Sequence, residues 1–313
     1  MKLQSELRHD LRETPITVGD LTLNVLMCGD PDKPLMMFLH GFPEYSGMWS
    51  EIMPQFAGEY FCVAPDQRGY NLSSRPVGKE HYKTSKMTGD AVALAAKLSP
   101  NAPITLVGHD WGASVAYAMA MWKPEMIRDL VIINGLHPGT FQDALLTDPE
   151  QARASQYFHY LRAPTTDADL SANGCRKMFE LFAYFSDVSW MTPRHRRDYL
   201  AAWSQPGAIT AMLDWYRSSP IYVPQPGEDV SERENPFADT EKMRVKPRHL
   251  LIWGEGDPSL RPSCHRGLAE YCDDLTKVMV PDADHWIVGA RPDLIVQEIS
   301  HFLSARQTVA ISA

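Results

Sequence analysis

The segment Ile104-Thr-Leu-Val-Gly108-His109-Asp110-Trp111-Gly112-Ala113 places a carboxylate midway between two glycines. An apolar run precedes it and helix-forming residues follow. A sharp turn from strand into helix needs small residues two before and two after its centre, because strand and helix backbones nearly touch there. Such a turn lifts the central side chain above the sheet, at a helix N-terminus where the dipole and free N–H groups favour negative charge. A serine at the centre would need a base to take its proton. Asp110 needs none, since a carboxyl with a reference pKa of about 3.9 is already ionised at neutral pH. It is a modest nucleophile, suited to displacement at saturated carbon bearing a strained or good leaving group, and its product is an alkyl ester. The alternative is an Asp that only caps the helix beginning near Trp111.

Hydrolysis of that ester calls for a base, an acid to orient it and donors for an oxyanion. In His40-Gly41-Phe42-Pro43-Glu44, at the end of the third expected strand, the Phe42 N–H can converge with the Trp111 N–H on one oxygen. In Leu250-Leu-Ile-Trp-Gly254-Glu-Gly-Asp257-Pro258 a strand ends and Asp257 follows within four residues; Glu255 is the alternative, and Asn134 after the preceding strand lacks the charge. Val280-Pro-Asp-Ala-Asp284-His285-Trp286 puts His285 just past the last expected strand, so the chain order is nucleophile, acid, histidine. His109 is expected to face away and His40 to brace its own loop. Opening a strained ether would leave an alkoxide that needs a donor, and a Tyr hydroxyl with a pKa of about 10 stays protonated to supply one. Tyr157 in SQYFHYL and Tyr216 in LDWYR are candidates among 12 tyrosines, with Tyr160, one helical turn from Tyr157, as a rival.

The elements that must position these groups follow from the apolar pattern. Ile16–Val18 and Leu21–Met27 alternate with period 2 around Gly19-Asp20 and read as an antiparallel hairpin. Leu35–His40, Tyr60–Ala64, Ile104–Val107, Leu130–Ile133, Leu250–Trp253 and Val278–Val280 are apolar without alternation, as parallel strands covered on both faces are. Helical stretches at Gly47–Phe56, Ser85–Leu98, Gly112–Trp122 and Asp293–Leu303 separate them, which predicts a doubly wound α/β sheet. Between about His137 and Val245 the pattern turns helical and aromatic, predicting an insertion after the sixth strand that covers the strand ends. The expected organisation is core over 1–138, helical lid over 139–246 and core again over 247–313.

Composition sets outer bounds. The 313 residues are 44% hydrophobic and 22% charged, as in ordinary globular chains. A net charge of −9, from 30 basic and 39 acidic residues, argues against a nucleic-acid partner. The five cysteines show neither zinc nor disulfide spacing. No run approaches a membrane span, and the charged start MKLQSELRHDLRE has no apolar leader, so a cytoplasmic location is expected.

Taken together, HGFPE (40–44), DQRGYNLSS (66–74), VGHDWGA (107–113), YFHYLRAP (157–164), DWYR (214–217), WGEGD (253–257) and ADHW (283–286) resemble, in order, the motifs of the α/β-hydrolase-fold epoxide hydrolases. The resemblance runs from about Gly19 to Leu303. It implies a mostly parallel eight-stranded sheet with helices on both faces and a helical cap. It implies Asp110 as nucleophile, Asp257 as acid, His285 as base, Tyr157 and Tyr216 as ring-opening donors, and Phe42 and Trp111 as oxyanion donors. It implies no cofactor and no metal; the partners would be an apolar epoxide and water, with a homodimer left open. One departure is Asn71, where the family has Gly in the RGYG turn; Asn tolerates positive φ. Haloalkane and haloacetate dehalogenases are similar and share the Asp nucleophile. A non-enzymatic binding protein on the same fold would be expected to lose part of the constellation.

Overall fold

Eight strands form one sheet: β1 (Arg12–Val18), β2 (Leu21–Cys28), β3 (Leu35–Leu39), β4 (Phe61–Pro65), β5 (Ile104–His109), β6 (Ile127–Ile133), β7 (Arg248–Gly254) and β8 (Leu275–Val280). The computed structural model describes residues 11–311, with side chains described to Ala305. The charged residues 1–10, on which the expectation of a chain without a leader rests, lie outside the described residues. The strand order is β1-β2-β4-β3-β5-β6-β7-β8. Only the β1–β2 and β2–β4 pairings are antiparallel. Every residue of β3, β4 and β5 is buried, whereas β1 at the edge is mostly exposed. This is the distinction between strands covered on two faces and a solvated edge.

The helices are α1 (Met53–Phe56), α2 (Thr84–Leu98), α3 (Trp111–Trp122), α4 (Pro138–Thr147), α5 (Pro149–Ala154), α6 (Tyr157–Arg162), α7 (Thr166–Phe185), α8 (Pro193–Trp203), α9 (Ala208–Ser218), α10 (Ile287–Ala290) and α11 (Pro292–Ile311). Helices α4 to α9 all fall between β6 and β7. Two of them, α4 and α5, each begin on a proline, which at the first helical position sacrifices no hydrogen bond. The single helix expected over Gly47–Phe56 is instead a 3₁₀ turn at Ser46–Trp49 followed by α1. Pro54 has no N–H to bond back to the preceding turn, so a continuous helix cannot form there. Among the described residues no helix is long and apolar enough to cross a membrane, and all five cysteines are free.

The topology makes the site. From β3 the chain steps outward to β4, then returns past β3 to β5, so the loops after β3 and β5 part and leave a crevice at the strands' carboxyl ends. Leu39 is in register with Gly108. The residues that follow those two strands, His40–Glu44 and His109–Trp111, are therefore neighbours in space.

Candidate active site

Asp110 sits at the turn from β5 into α3 with φ +50° and ψ −120°. Such a conformation is strained for any residue with a Cβ, and it persists only when the surroundings enforce it. Glycine supplies the room: a Cβ on Gly112 would lie 2.2 Å from the Leu39 carbonyl oxygen, and one on Gly41 2.2 Å from Asp110 Oδ1. With the loop that close, the Phe42 N–H donates to Asp110 Oδ1 at 2.7 Å. The Trp111 N–H also donates to this carboxylate. Burial pushes the Asp110 pKa above the ordinary carboxylate value, opposed by His285, His109 and these two amides.

His285, 4% exposed, follows β8 and faces Asp110, with Nε2 3.7 Å from Oδ2. That is too long for a hydrogen bond. Its other nitrogen, Nδ1, meets Asp257 Oδ2 at 2.7 Å. Asp257 in turn accepts the Ser259 and Leu260 N–H groups on Oδ1, each at 2.9 Å, and the Asn134 side-chain amide on Oδ2 at 2.9 Å. Burial works to lower the His285 pKa, but the Asp257 charge and hydrogen bond, then the Asp110 charge, outweigh it and raise the pKa to about 9. The imidazole is thus protonated at neutral pH, and its charge in turn favours the ionised form of Asp110.

The expected bystanders are also in place. His109 meets Glu44 Oε2 at 3.1 Å and the His285 carbonyl oxygen at 2.9 Å, behind the site. His40 accepts the Gln67 N–H at 3.0 Å, and burial lowers its pKa to about 4. Glu255 is exposed, leaving Asp257 as the carboxylate that reaches His285. Asn71 adopts φ +42° and donates to Asp66 Oδ2 at 2.8 Å, so the turn tolerates the departure from Gly.

Above Asp110 lies a cavity of about 200 Å³ to which Asp110, Tyr157 and Tyr216 all contribute. Tyr157 opens α6 and Tyr216 stands near the end of α9, their ring centroids 6.3 Å apart. Burial first and the Asp110 charge second push both phenol pKa values well above the ordinary value, so each hydroxyl remains a proton donor. A hydrogen bond from the Trp111 side chain to Tyr216 works in the opposite direction. Tyr160 points elsewhere: it is 38% exposed and donates to Asp169 at 2.6 Å.

Two contributors escaped the sequence reading. Asn134 lacks a charge, yet it binds Asp257 and accepts the Gly254 N–H at 2.8 Å on its side-chain oxygen. Its place directly after a buried strand was the available signal. Glu44, noted only as part of a motif, is a buried carboxylate tying His109 to the Tyr199 hydroxyl, which donates to it at 3.0 Å. Among the described residues no cluster of three or more His, Cys, Asp or Glu side chains could hold a metal ion. A buried carboxylate facing two amides, an imidazole braced by a second carboxylate and two phenols over one cavity can attack saturated carbon and then hydrolyse the resulting ester.

A doubly wound sheet with a charged residue on the β5–α3 turn and a histidine after β8 defines a class, and the chain belongs to it: residues 34–292 match the alpha/beta hydrolase fold family. Within that class, the AB hydrolase superfamily protein YfhM of Bacillus subtilis is 31% identical over 290 residues, covering 92% of this chain and 96% of the relative. A solved structure described among novel epoxide hydrolases from metagenomes of hot environments superposes with a TM-score of 0.86 at 33% identity, covering 93% of this chain and 98% of that one. An epoxide hydrolase of Bacillus megaterium, solved with an inhibitor, superposes with a TM-score of 0.84 at 27% identity, covering 93% and 100%. The resemblance read from the motifs is borne out at the level of the family.

Proposed function

We propose that this protein is an epoxide hydrolase that forms a vicinal diol through an alkyl ester on Asp110. The observation that carries the reading is the convergence of two protonated phenols, Tyr157 and Tyr216, on the cavity that also exposes Asp110. Asp110 forms a C–O bond to a ring carbon, the ring C–O bond breaks, and a tyrosine gives its proton to the departing oxygen. With the Asp110 charge gone, one of the influences holding the His285 proton is gone too. The imidazolium then restores the tyrosine and stands neutral. It takes a proton from water, whose oxygen attacks the ester carbonyl while the Phe42 and Trp111 amides hold the oxyanion. The ester C–O bond breaks, the alcohol leaves with the carboxyl proton, and Asp110 and His285 are again charged. Residues 139–246 act as the lid that brings in the phenols. No metal or cofactor enters these steps.

The two phenols lining the cavity favour ring opening, whose alkoxide needs a proton donor, over dehalogenation, whose halide does not. The test is His285→Gln exposed to a 1,2-epoxyalkane. Intact-protein mass spectrometry should show a stable adduct of the epoxide's mass, while the wild type yields diol. No adduct, together with halide release from a 1-haloalkane by the wild type, would move the chain to the dehalogenases.

A further inference from the structure

The shape of the cavity narrows the substrate. Its floor is a single stripe of the elbow helix α3 and its cap: Asp110, Trp111, Ser114, Ala118, Met121 and Trp122. These positions recur every three to four residues, so they share one face from the first turn to the last. The helix has 12 residues, and at about 1.5 Å rise each the stripe is about 17 Å long. About 200 Å³ drawn out over that length is a slot, not a chamber.

The two ends of the slot differ. At the inner end the lining includes Asp110, Tyr157 and Tyr216. His285 does not line it, and Phe185 and Trp286 pack around that ring at 6.2 and 4.7 Å between centroids. At the outer end Trp122 is 49% exposed, and Pro220, Phe237 and Met243 line the cavity close to the surface. Between the ends the polar lining consists of hydroxyls, those of Thr84, Ser114 and Ser219, with no Lys or Arg. A charged group inside the slot would find no partner and would be strongly disfavoured.

We infer that the natural substrate is a terminal epoxide on a long, unbranched, uncharged apolar chain. The chain enters past Trp122 and lies along α3, with its unsubstituted ring carbon against Asp110. This rests on the epoxide hydrolase reading and adds the substrate class. With C–C bonds near 1.5 Å, a chain on the order of ten carbons would fill the slot. An epoxide substituted on both carbons would need space on the far side of Asp110, where Phe185 and Trp286 pack around His285.

The test is kcat/KM for 1,2-epoxyalkanes of increasing length, from epoxybutane to epoxydecane, against 2,3-epoxyalkanes of equal carbon number. The expected result is a rise of about two- to fourfold per added methylene, since each buries more apolar surface, with the internal epoxides at least about tenfold poorer. Ala118 lies midway along the stripe, so Ala118→Phe should erase the gain for long chains and bring epoxydecane kcat/KM down to about the epoxybutane value. Because that variant risks misfolding, wild-type binding of 1,2-diols by calorimetry provides a second readout, with decanediol expected at least about 30-fold tighter than butanediol. A flat length profile, or internal epoxides turned over equally well, would overturn the inference while leaving the hydrolase reading intact. If no epoxide of any length reacts, the hydrolase reading fails, and the diol series still decides whether the slot accepts long chains.

Discussion

The two halves of the site are held by different physics. On the sheet side, each of the three side chains is held by hydrogen bonds: Asp110 by two backbone amides, His285 by the Asp257 carboxylate, Asp257 by two amides and Asn134. On the lid side, Tyr157 and Tyr216 are set by ring packing, edge-on to Phe185 at 4.9 Å and to Phe42 at 5.1 Å, and both line the cavity. Charges are thus placed by hydrogen bonds near strand ends, while the phenols are placed by ring packing on helices α6 and α9. Pre-organisation matters most where charge develops. Loss of the bond-forming group on the sheet side should therefore abolish turnover, and the lid side should degrade in steps.

The sharpest break of this comparison is Asp110→Ala. It removes the bond-forming atom, so steady-state diol formation should fall by at least about 10⁴-fold, and no adduct should appear by mass spectrometry even with His285→Gln in the background. Residual turnover within about a hundredfold of wild type would mean that covalent catalysis through the sheet side is not the main route.

On the lid side, Tyr157→Phe and Tyr216→Phe should each cost about tenfold in the single-turnover rate of ring opening, because the remaining phenol still donates. The double variant should lose about 10²–10³-fold. Rates that are unaffected in the double variant would remove the phenols from the mechanism. One single variant as poor as the double would show that the two hydroxyls do not share the task.

The same contrast explains what could be read from sequence. The Gly108–Gly112 spacing around Asp110 and the end-of-strand positions of Asp257 and His285 follow from backbone sterics and sheet topology, which local sequence records. So do the strands, since runs buried on both faces show as unbroken apolar segments. The lid is less legible. Helices α4 and α5 start on prolines that read as breaks, and α7 contains a left-handed stretch at Asn173, Gly174 and Cys175 that no periodicity announces. Choosing Tyr157 over Tyr160 depended on which way α6 is rolled, a tertiary fact: one ring faces the cavity and the other bonds to Asp169. Asn134 is illegible for another reason: it carries no charge itself and acts by positioning one, through a contact with Asp257 that only the fold creates.

Acidity offers a finer separation of the two steps. In the free protein His285 should titrate near 9, observable by its imidazole NMR signal. In the ester Asp110 is neutral and no longer raises that pKa, so the base should titrate below the free-protein value. Hydrolysis needs the neutral ring, so the pre-steady-state decay of the ester should slow about tenfold per unit as pH falls below the ester-state pKa. Ring opening needs Asp110 ionised and His285 protonated, so it should be fastest on the acid side of the free-protein titration. If ester decay tracked the free-protein pKa of about 9 instead, the Asp110 charge would not be what tunes the base.

The smallest expected effect tests whether the sheet side is as tightly coupled as its hydrogen bonds imply. Asn134→Ala removes one of the three groups that hold Asp257 apart from His285, and leaves the Ser259 and Leu260 amides on the other oxygen. A single hydrogen bond of this kind is worth about 1 kcal/mol, or about fivefold in rate. The loss should fall on kcat, through ester hydrolysis, with KM and the ring-opening rate nearly unchanged, because Asn134 does not line the cavity. Asn134→Asp would keep the size but set a second carboxylate against Asp257, so it should be worse than Ala. A merely structural Asn would lower Tm in both variants without separating the two steps; a loss confined to ester decay is the signature of a group that acts through Asp257.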